Sequence, residues 1–111
     1  MFQGAYFFSA ASKIVGLEMN SDLCRVQLQI VDRFSLNDRI AINEAELTSR
    51  PDLVASSDVL VMMNVAEWFV PSPEFRVAMW QFVRQHLRPG SLLVTNPDLE
   101  TTFENLGVRW S

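Results

Sequence analysis

Four groups of polar side chains stand where they could do chemistry, each directly after a short apolar run. Glu18 closes "KIVGLE", residues 44–46 hold two more glutamates after "RIAIN", Asn64 follows "DVLVMM", and residues 96–98 follow "SLLVT". Short apolar runs with β-branched residues predict strands that are buried on both faces. Because ligands in open parallel α/β sheets bind beyond the carboxyl ends of the strands, these four groups are the candidate site residues.

The segments between these strands have helical patterns. Asn20 is positioned to cap a helix with Asp22 in its first turn, where the helix dipole favours an acid. The predicted core face of this helix is an apolar stripe at helical spacing, made of Leu23, Val26, Ile30 and Phe34 and flanked by Cys24 and Val31. Another helix is predicted to begin at Ser72, with Pro73 at its first position. Its predicted core face consists of Phe75, Ala78, Met79, Phe82, Val83 and Leu87.

Strands that alternate with helices predict the α/β class, with a mainly parallel sheet of about four strands and helices on both faces. The chain has 111 residues, 49% of them hydrophobic, which predicts a single domain over residues 1–111. Its nine Lys and Arg residues are scattered and its net charge is −4, which argues against a dedicated nucleic-acid surface. Lys13 interrupts the apolar start of the chain, so we expect no membrane association and a cytoplasmic or nuclear location.

Several reactive residue types are present without the partners that they would need. The single cysteine, Cys24, cannot form an internal disulfide, and its place in a helical pattern predicts a buried structural thiol. Glu44 and Glu46 form a carboxylate pair, but no His or Cys accompanies them, so no metal site is predicted. His86 lies near the end of its helix, where a capping role is favoured over general-base work.

The order of "KIVGLEMN", "RIAINEAEL", "DVLVMMNVAEWF" and "HLRPGSLLV" resembles the class I S-adenosylmethionine-dependent methyltransferases, over residues 13–95. This resemblance implies a Rossmann-like fold, S-adenosylmethionine as the cofactor, and methyl transfer to a protein or small-molecule nucleophile. "VGLE" and "MNVAEWF" are also similar, more weakly, to the non-SET histone lysine methyltransferases. The paired Asn of that family is here Met63 followed by Asn64.

The resemblance assigns four residues to the adenosine part of the cofactor. Glu18 matches the acid that accepts hydrogen bonds from both ribose hydroxyls, and Met19 matches the residue that packs on the adenine. Ala45 and Glu46 match the small residue and the acid that recognise the adenine amino group. These four residues are therefore the predicted cofactor-binding set at the first two strand ends.

Three residues are predicted near the methyl group and its acceptor, one of them from the resemblance. Asn64 matches a polar residue close to the methyl, although an Asn at this place could equally satisfy backbone groups of a turn. Trp68 and Phe69 would form an aromatic lip for the methyl acceptor, or else a hydrophobic staple onto the core. No catalytic residue is assigned, because methyl transfer from a sulfonium depends mainly on positioning.

The first strand of the family and its Gly-rich turn have no counterpart in this sequence, and Gly4 alone cannot replace them. The resemblance therefore implies a partial, truncated domain. Since neighbouring strands lie about 4.8 Å apart, the missing strand leaves a gap of roughly 10 Å between "KIVGL" and "DVLVMM". Either the sheet closes up in another order, or self-association or a partner strand fills that gap.

Other interpretations stay open. Glu18 also suits the dinucleotide-binding dehydrogenase fold, and the Gly-rich turn that would separate the two families is absent. Glu18 equally suits a strand-end acid that caps the next helix. For the whole chain, the alternative to an enzyme is a non-catalytic methyltransferase-like interaction module or an inactive remnant.

Overall fold

The computed structural model describes residues 13–63 and 72–109. In these residues the chain forms four strands and four α-helices, in the order β1 (Ile14–Glu18), α1 (Ser21–Arg33), β2 (Ile40–Glu44), α2 (Pro51–Ser56), β3 (Val59–Met63), α3 (Pro73–His86), β4 (Leu92–Asn96) and α4 (Leu99–Leu106). A 3₁₀ turn, Leu47–Ser49, precedes α2. The chain divides into two compact units, Met1–Ser49 and Arg50–Ser111. The single domain expected over residues 1–111 stays a prediction.

Each unit contains one pair of parallel strands. In the first unit β1 pairs with β2, in a register that runs from Ile14 opposite Ile40 to Glu18 opposite Glu44. In the second unit β3 pairs with β4, and Val59 lies opposite Leu92. A helix, α1 or α3, lies between the two strands of each pair along the chain. The predicted α/β class, the four strands and their parallel pairing are therefore confirmed, whereas the described strands form two sheets of two strands rather than the predicted single sheet.

The first unit is built around the contact of α1 with its two strands. The side-chain Oδ1 of Asn20 accepts hydrogen bonds from the backbone N–H groups of Asp22 and Leu23, at 2.9 and 3.1 Å. These two bonds satisfy donors that every helix start leaves open, so the predicted N-cap is confirmed. Val31 of α1 and Ile40 of β2 form the buried core, and Ile14, Leu36 and Ile42 pack against them.

The buried face of α1 lies along the predicted flank of the apolar stripe, about one residue step around the helix from its predicted centre. Cys24 and Val31, two turns apart, are the buried residues of α1. Leu23, Val26 and Phe34 have exposed fractions of 49%, 50% and 65%. One residue step turns the helix by about 100°. A shift of this size therefore buries the side of α1 that carries Cys24 and Val31 and exposes the side that carries Leu23 and Val26.

The core of the second unit includes residues of β3, α3 and α4. The Ser72 Oγ accepts a hydrogen bond from the Phe75 backbone N–H at 3.3 Å, which confirms the predicted start of α3. Met79, Trp80 and Val83 are the buried residues of α3. Trp80 therefore belongs to the core although the predicted face omits it, whereas Phe75 is 66% exposed.

The C-terminal helix α4 is fixed at both ends by local contacts. The Asp98 carboxylate accepts hydrogen bonds from the Thr101 backbone N–H and hydroxyl, at 2.8 and 3.0 Å. Gly107 ends the helix with a φ of 68°, and the Val108 N–H donates to the Phe103 carbonyl at 3.0 Å. This is the left-handed helix end that glycine favours. None of the described helices has the length and apolar character needed to cross a membrane.

Candidate functional site

The carboxyl ends of β1 and β2 bring the four predicted adenosine residues to one edge of the first unit. Glu18 and Glu44 are register partners at the last position of the two strands. One residue further, the Ala45 N–H donates to the Glu18 carbonyl oxygen at 3.0 Å. The strand pairing thus extends to the loop that carries Ala45 and Glu46, and Met19 follows Glu18 with half of its surface exposed.

The Glu18 carboxylate is half-buried and faces the start of α1. Its Oε1 accepts a hydrogen bond from the Asn20 backbone N–H at 3.2 Å, while Oε2 makes no hydrogen bond within the described residues. The helix cap is Asn20 rather than Glu18. Glu18 therefore fixes the strand-to-helix turn with one oxygen, and the other can accept further donors.

The loop after β2 holds Glu46 in a defined conformation. The Thr48 hydroxyl donates to Glu46 Oε1 at 2.5 Å, which turns the carboxylate toward its own 3₁₀ turn. The Glu46 carbonyl accepts from the Ser49 hydroxyl and N–H, at 2.6 and 3.1 Å. Local hydrogen bonds, rather than packing, therefore fix this exposed acid.

A buried thiol contacts the end of β1. Cys24 is 4% exposed, which confirms the predicted buried cysteine. Its Sγ lies 3.3 Å from the Glu18 carbonyl oxygen, so the thiol donates to it. Burial raises the pKa of the Cys24 thiol above its ordinary value, and the carboxylates of Glu44 and Glu18 raise it further because both disfavour a thiolate. The thiol is thus a neutral donor rather than a nucleophile at neutral pH.

The methyl-acceptor part of the predicted site is not described. Asn64, Trp68 and Phe69 lie outside the described residues.

In the part of the chain that is described, no group of three His, Cys, Asp or Glu residues could hold a metal ion. The His86 ring packs on the Phe82 ring with their centroids 4.5 Å apart.

The contact between Cys24 and Glu18 is the site feature that the sequence did not predict. The spacing in the sequence could have indicated this contact. Cys24 is the fourth residue after Asn20, which caps α1, and it therefore lies close to the end of β1. The Cys24 N–H in turn donates to the Asn20 carbonyl at 2.9 Å. A small side chain at that place can approach the backbone of β1 closely.

Comparison of the chain with models of protein families, with curated proteins and with solved structures finds no significant match. The arrangement at the ends of β1 and β2 is therefore the basis on which a function can be proposed.

Proposed function

We propose that this chain is a Rossmann-like, methyltransferase-like domain that binds the adenosine part of S-adenosylmethionine at the carboxyl ends of β1 and β2. The single observation that carries the proposal is the hydrogen bond from the Ala45 N–H to the Glu18 carbonyl. It places Glu18 at the end of β1, and the exposed Met19 that follows it, next to the loop after β2 that carries Glu46. Parallel strand ends are the usual place for such ligands.

Each group has a chemical counterpart in the cofactor. A ribose offers two hydroxyl donors, and the Glu18 carboxylate can accept both, since only its Oε1 is used by a backbone N–H. Met19, 51% exposed, offers a polarisable apolar surface for the adenine ring. Glu46 offers a carboxylate for the adenine amino group.

The reaction proposed is transfer of the methyl group to a protein or small-molecule nucleophile in the cytoplasm or nucleus. Asn64, Trp68 and Phe69 remain the proposed residues on the acceptor side. A further strand, from a second copy of the chain or from a partner, is proposed to pair beside these strands, because isolated two-stranded sheets are marginally stable in water.

A second candidate function is a methyltransferase-like interaction module that binds no cofactor. The observation that favours it is the hydrogen bond from the Asn20 N–H to Glu18 Oε1. This bond gives Glu18 a structural role, the fixing of the turn between β1 and α1, which would by itself explain an acid at the end of the strand. The two candidates therefore differ in whether the charge of Glu18 has a function beyond this bond.

Titration calorimetry with S-adenosylmethionine and S-adenosylhomocysteine separates the two candidates. In Glu18→Gln the side-chain oxygen can still accept from Asn20, but the charge and one acceptor are lost. We expect this variant to bind about tenfold to hundredfold more weakly than wild type, since hydrogen bonds to charged groups contribute about 1.5–3 kcal/mol. The matched control is Glu44→Gln, an exposed acid at the same register level, which is expected to bind like wild type.

Absence of binding at about 1 mM of either ligand would contradict the cofactor proposal. Equal losses in Glu18→Gln and Glu44→Gln would contradict the ribose role of Glu18, because general electrostatics would then explain both. Tighter binding of a nicotinamide dinucleotide than of S-adenosylmethionine would favour the dehydrogenase-like alternative.

A further inference from the structure

The apolar stripe of α1 remains exposed on the surface of the first unit. Leu23, Val26 and Phe34 are 49%, 50% and 65% exposed, and Ile30 between them is partly exposed. At about 100° per residue, these four side chains fall within roughly 80° around the helix. A continuous row of exposed apolar side chains marks an interaction surface.

The spacing of this stripe is that of a seam between two helices. Its members are three, four and four residues apart in the chain, which keeps them on the side that faces a partner helix. The 13 residues of α1 span about 20 Å, so the whole stripe can contact one neighbouring helix. The complementary surface is therefore another helix with an apolar stripe of similar length.

Two opposite charges flank the stripe near its two ends. Asp22 and Arg33 are 11 residues apart in the sequence, so they lie about 16 Å apart along the helix and within roughly 20° of each other around it. Both are exposed, and the Asp22 carboxylate, which also pairs with Arg25 of the same helix, is 78% exposed.

This charge pattern is complementary to itself in one orientation. When a second α1 lies antiparallel to the first, each Asp22 comes opposite the Arg33 of the other copy, and the two helix dipoles oppose each other. A parallel copy would instead bring Asp22 opposite Asp22 and Arg33 opposite Arg33. The pattern therefore selects an antiparallel second copy of this chain as the partner.

We propose that two copies of this chain associate through α1, antiparallel about a twofold axis near the middle of the helix. Val26 and Ile30 lie closest to the axis and pack against the same residues of the other copy. The helices cross at about 20°, because a shallow crossing keeps both ends in contact. Four partly exposed side chains per copy are fewer than a standard interface buries, so the dimer is weak. The proposal does not depend on cofactor binding, and it uses a helix face rather than the open edges of the strands.

Sedimentation equilibrium of the full chain at about 50 mM salt, where surface charges are little screened, measures the dimer. We expect a dissociation constant near or below about 300 µM. Val26→Asp is expected to raise it at least about tenfold, because the dimer would then bury two carboxylates near its axis. The matched control is Leu28→Asp, which is expected to associate like wild type. Leu28 is 47% exposed but lies roughly 160° around the helix from the stripe.

Charge exchange tests the orientation of the two copies. Asp22→Lys and Arg33→Glu, each alone, place like charges opposite each other and are expected to raise the dissociation constant at least about fivefold. An equimolar mixture of the two variants is expected to associate within about twofold of wild type, because each chain then meets opposite charges on the other. If one single variant does not fold, both substitutions in one chain make the same test, since they restore opposite charges in the antiparallel pair.

A wild-type chain that stays monomeric up to about 1 mM would overturn the proposal. Equal losses of association in Val26→Asp and Leu28→Asp would also overturn it, and so would a mixture of folded charge variants that does not recover. A dimer that persists in Val26→Asp and in both charge variants would contradict the helix interface and assign self-association to the open strand edges.

Discussion

The Sγ of Cys24 in α1 lies 3.3 Å from the backbone oxygen of Glu18 at the end of β1. The same oxygen accepts the Ala45 N–H at 3.0 Å, from the loop after β2. One carbonyl group therefore joins the helix, its own strand and the neighbouring strand end. The conformation of the proposed adenosine site depends on this junction, and four predictions follow from it and from the helix ends.

Stability is expected to fall at alkaline pH because of Cys24. The pKa of this thiol in the folded protein is raised above its ordinary value of 9.0. Above about pH 9 the unfolded chain loses the thiol proton while the folded chain keeps it, so the free energy of unfolding decreases as pH rises through the folded pKa. Urea unfolding from about pH 7 to about pH 11 measures this decrease. Cys24→Ala should show a shallower decline, and identical slopes for the two proteins would contradict the raised pKa.

Met19→Ala is expected to weaken S-adenosylmethionine binding about threefold to tenfold, because it removes apolar surface from the proposed adenine contact. Its free energy of unfolding should stay within about 0.5 kcal/mol of wild type, since the Met19 side chain is half exposed. Calorimetry and urea unfolding measure the two effects separately. Leu28→Ala, at an equally exposed position within α1, is the matched control, and a similar loss of binding there would argue against a specific role for Met19.

Asn20→Ala is expected to lower the free energy of unfolding by about 1 kcal/mol, because the first-turn N–H groups of Asp22 and Leu23 lose their acceptor. Asn20→Ser keeps a capping oxygen and should recover most of this loss. Circular dichroism during urea unfolding is a suitable measurement. Equal destabilisation by Ala and Ser would show that the Asn20 side chain acts through something other than capping.

Gly107→Ala is expected to lower the free energy of unfolding by about 1 to 2 kcal/mol, through backbone strain alone. Gly107 has a φ of 68°, and a Cβ added there would meet no atom within 4 Å. Asn tolerates the left-handed conformation better than Ala, so Gly107→Asn should cost less. Thermal unfolding of the three proteins tests the order, and an Ala variant as stable as wild type would contradict the left-handed helix end.

The elements that rest on local interactions could be predicted from the sequence. The four strands follow from short apolar runs, and the caps at Asn20 and Ser72 follow from polar side chains that bond within three residues of themselves. Helical spacing also identified the residues that share a face. It could not decide how α1 is rotated on the strands: Cys24 was expected to be buried, but so was its apolar neighbour Leu23, and only packing against β1 and β2 leaves Leu23 49% exposed.

The sequence by itself determined the α/β pattern and placed an acid, Glu18, at the end of a strand. Only the tertiary structure decided the neighbours of that acid, because the register of β1 on β2 sets Glu44 opposite it and Ala45 within a hydrogen bond of its carbonyl. The same holds for Trp80 and Phe103, which are 23 positions apart in the chain and meet only when α4 packs near α3. Contacts between residues far apart in sequence depend on pairing and packing, which local propensity does not encode.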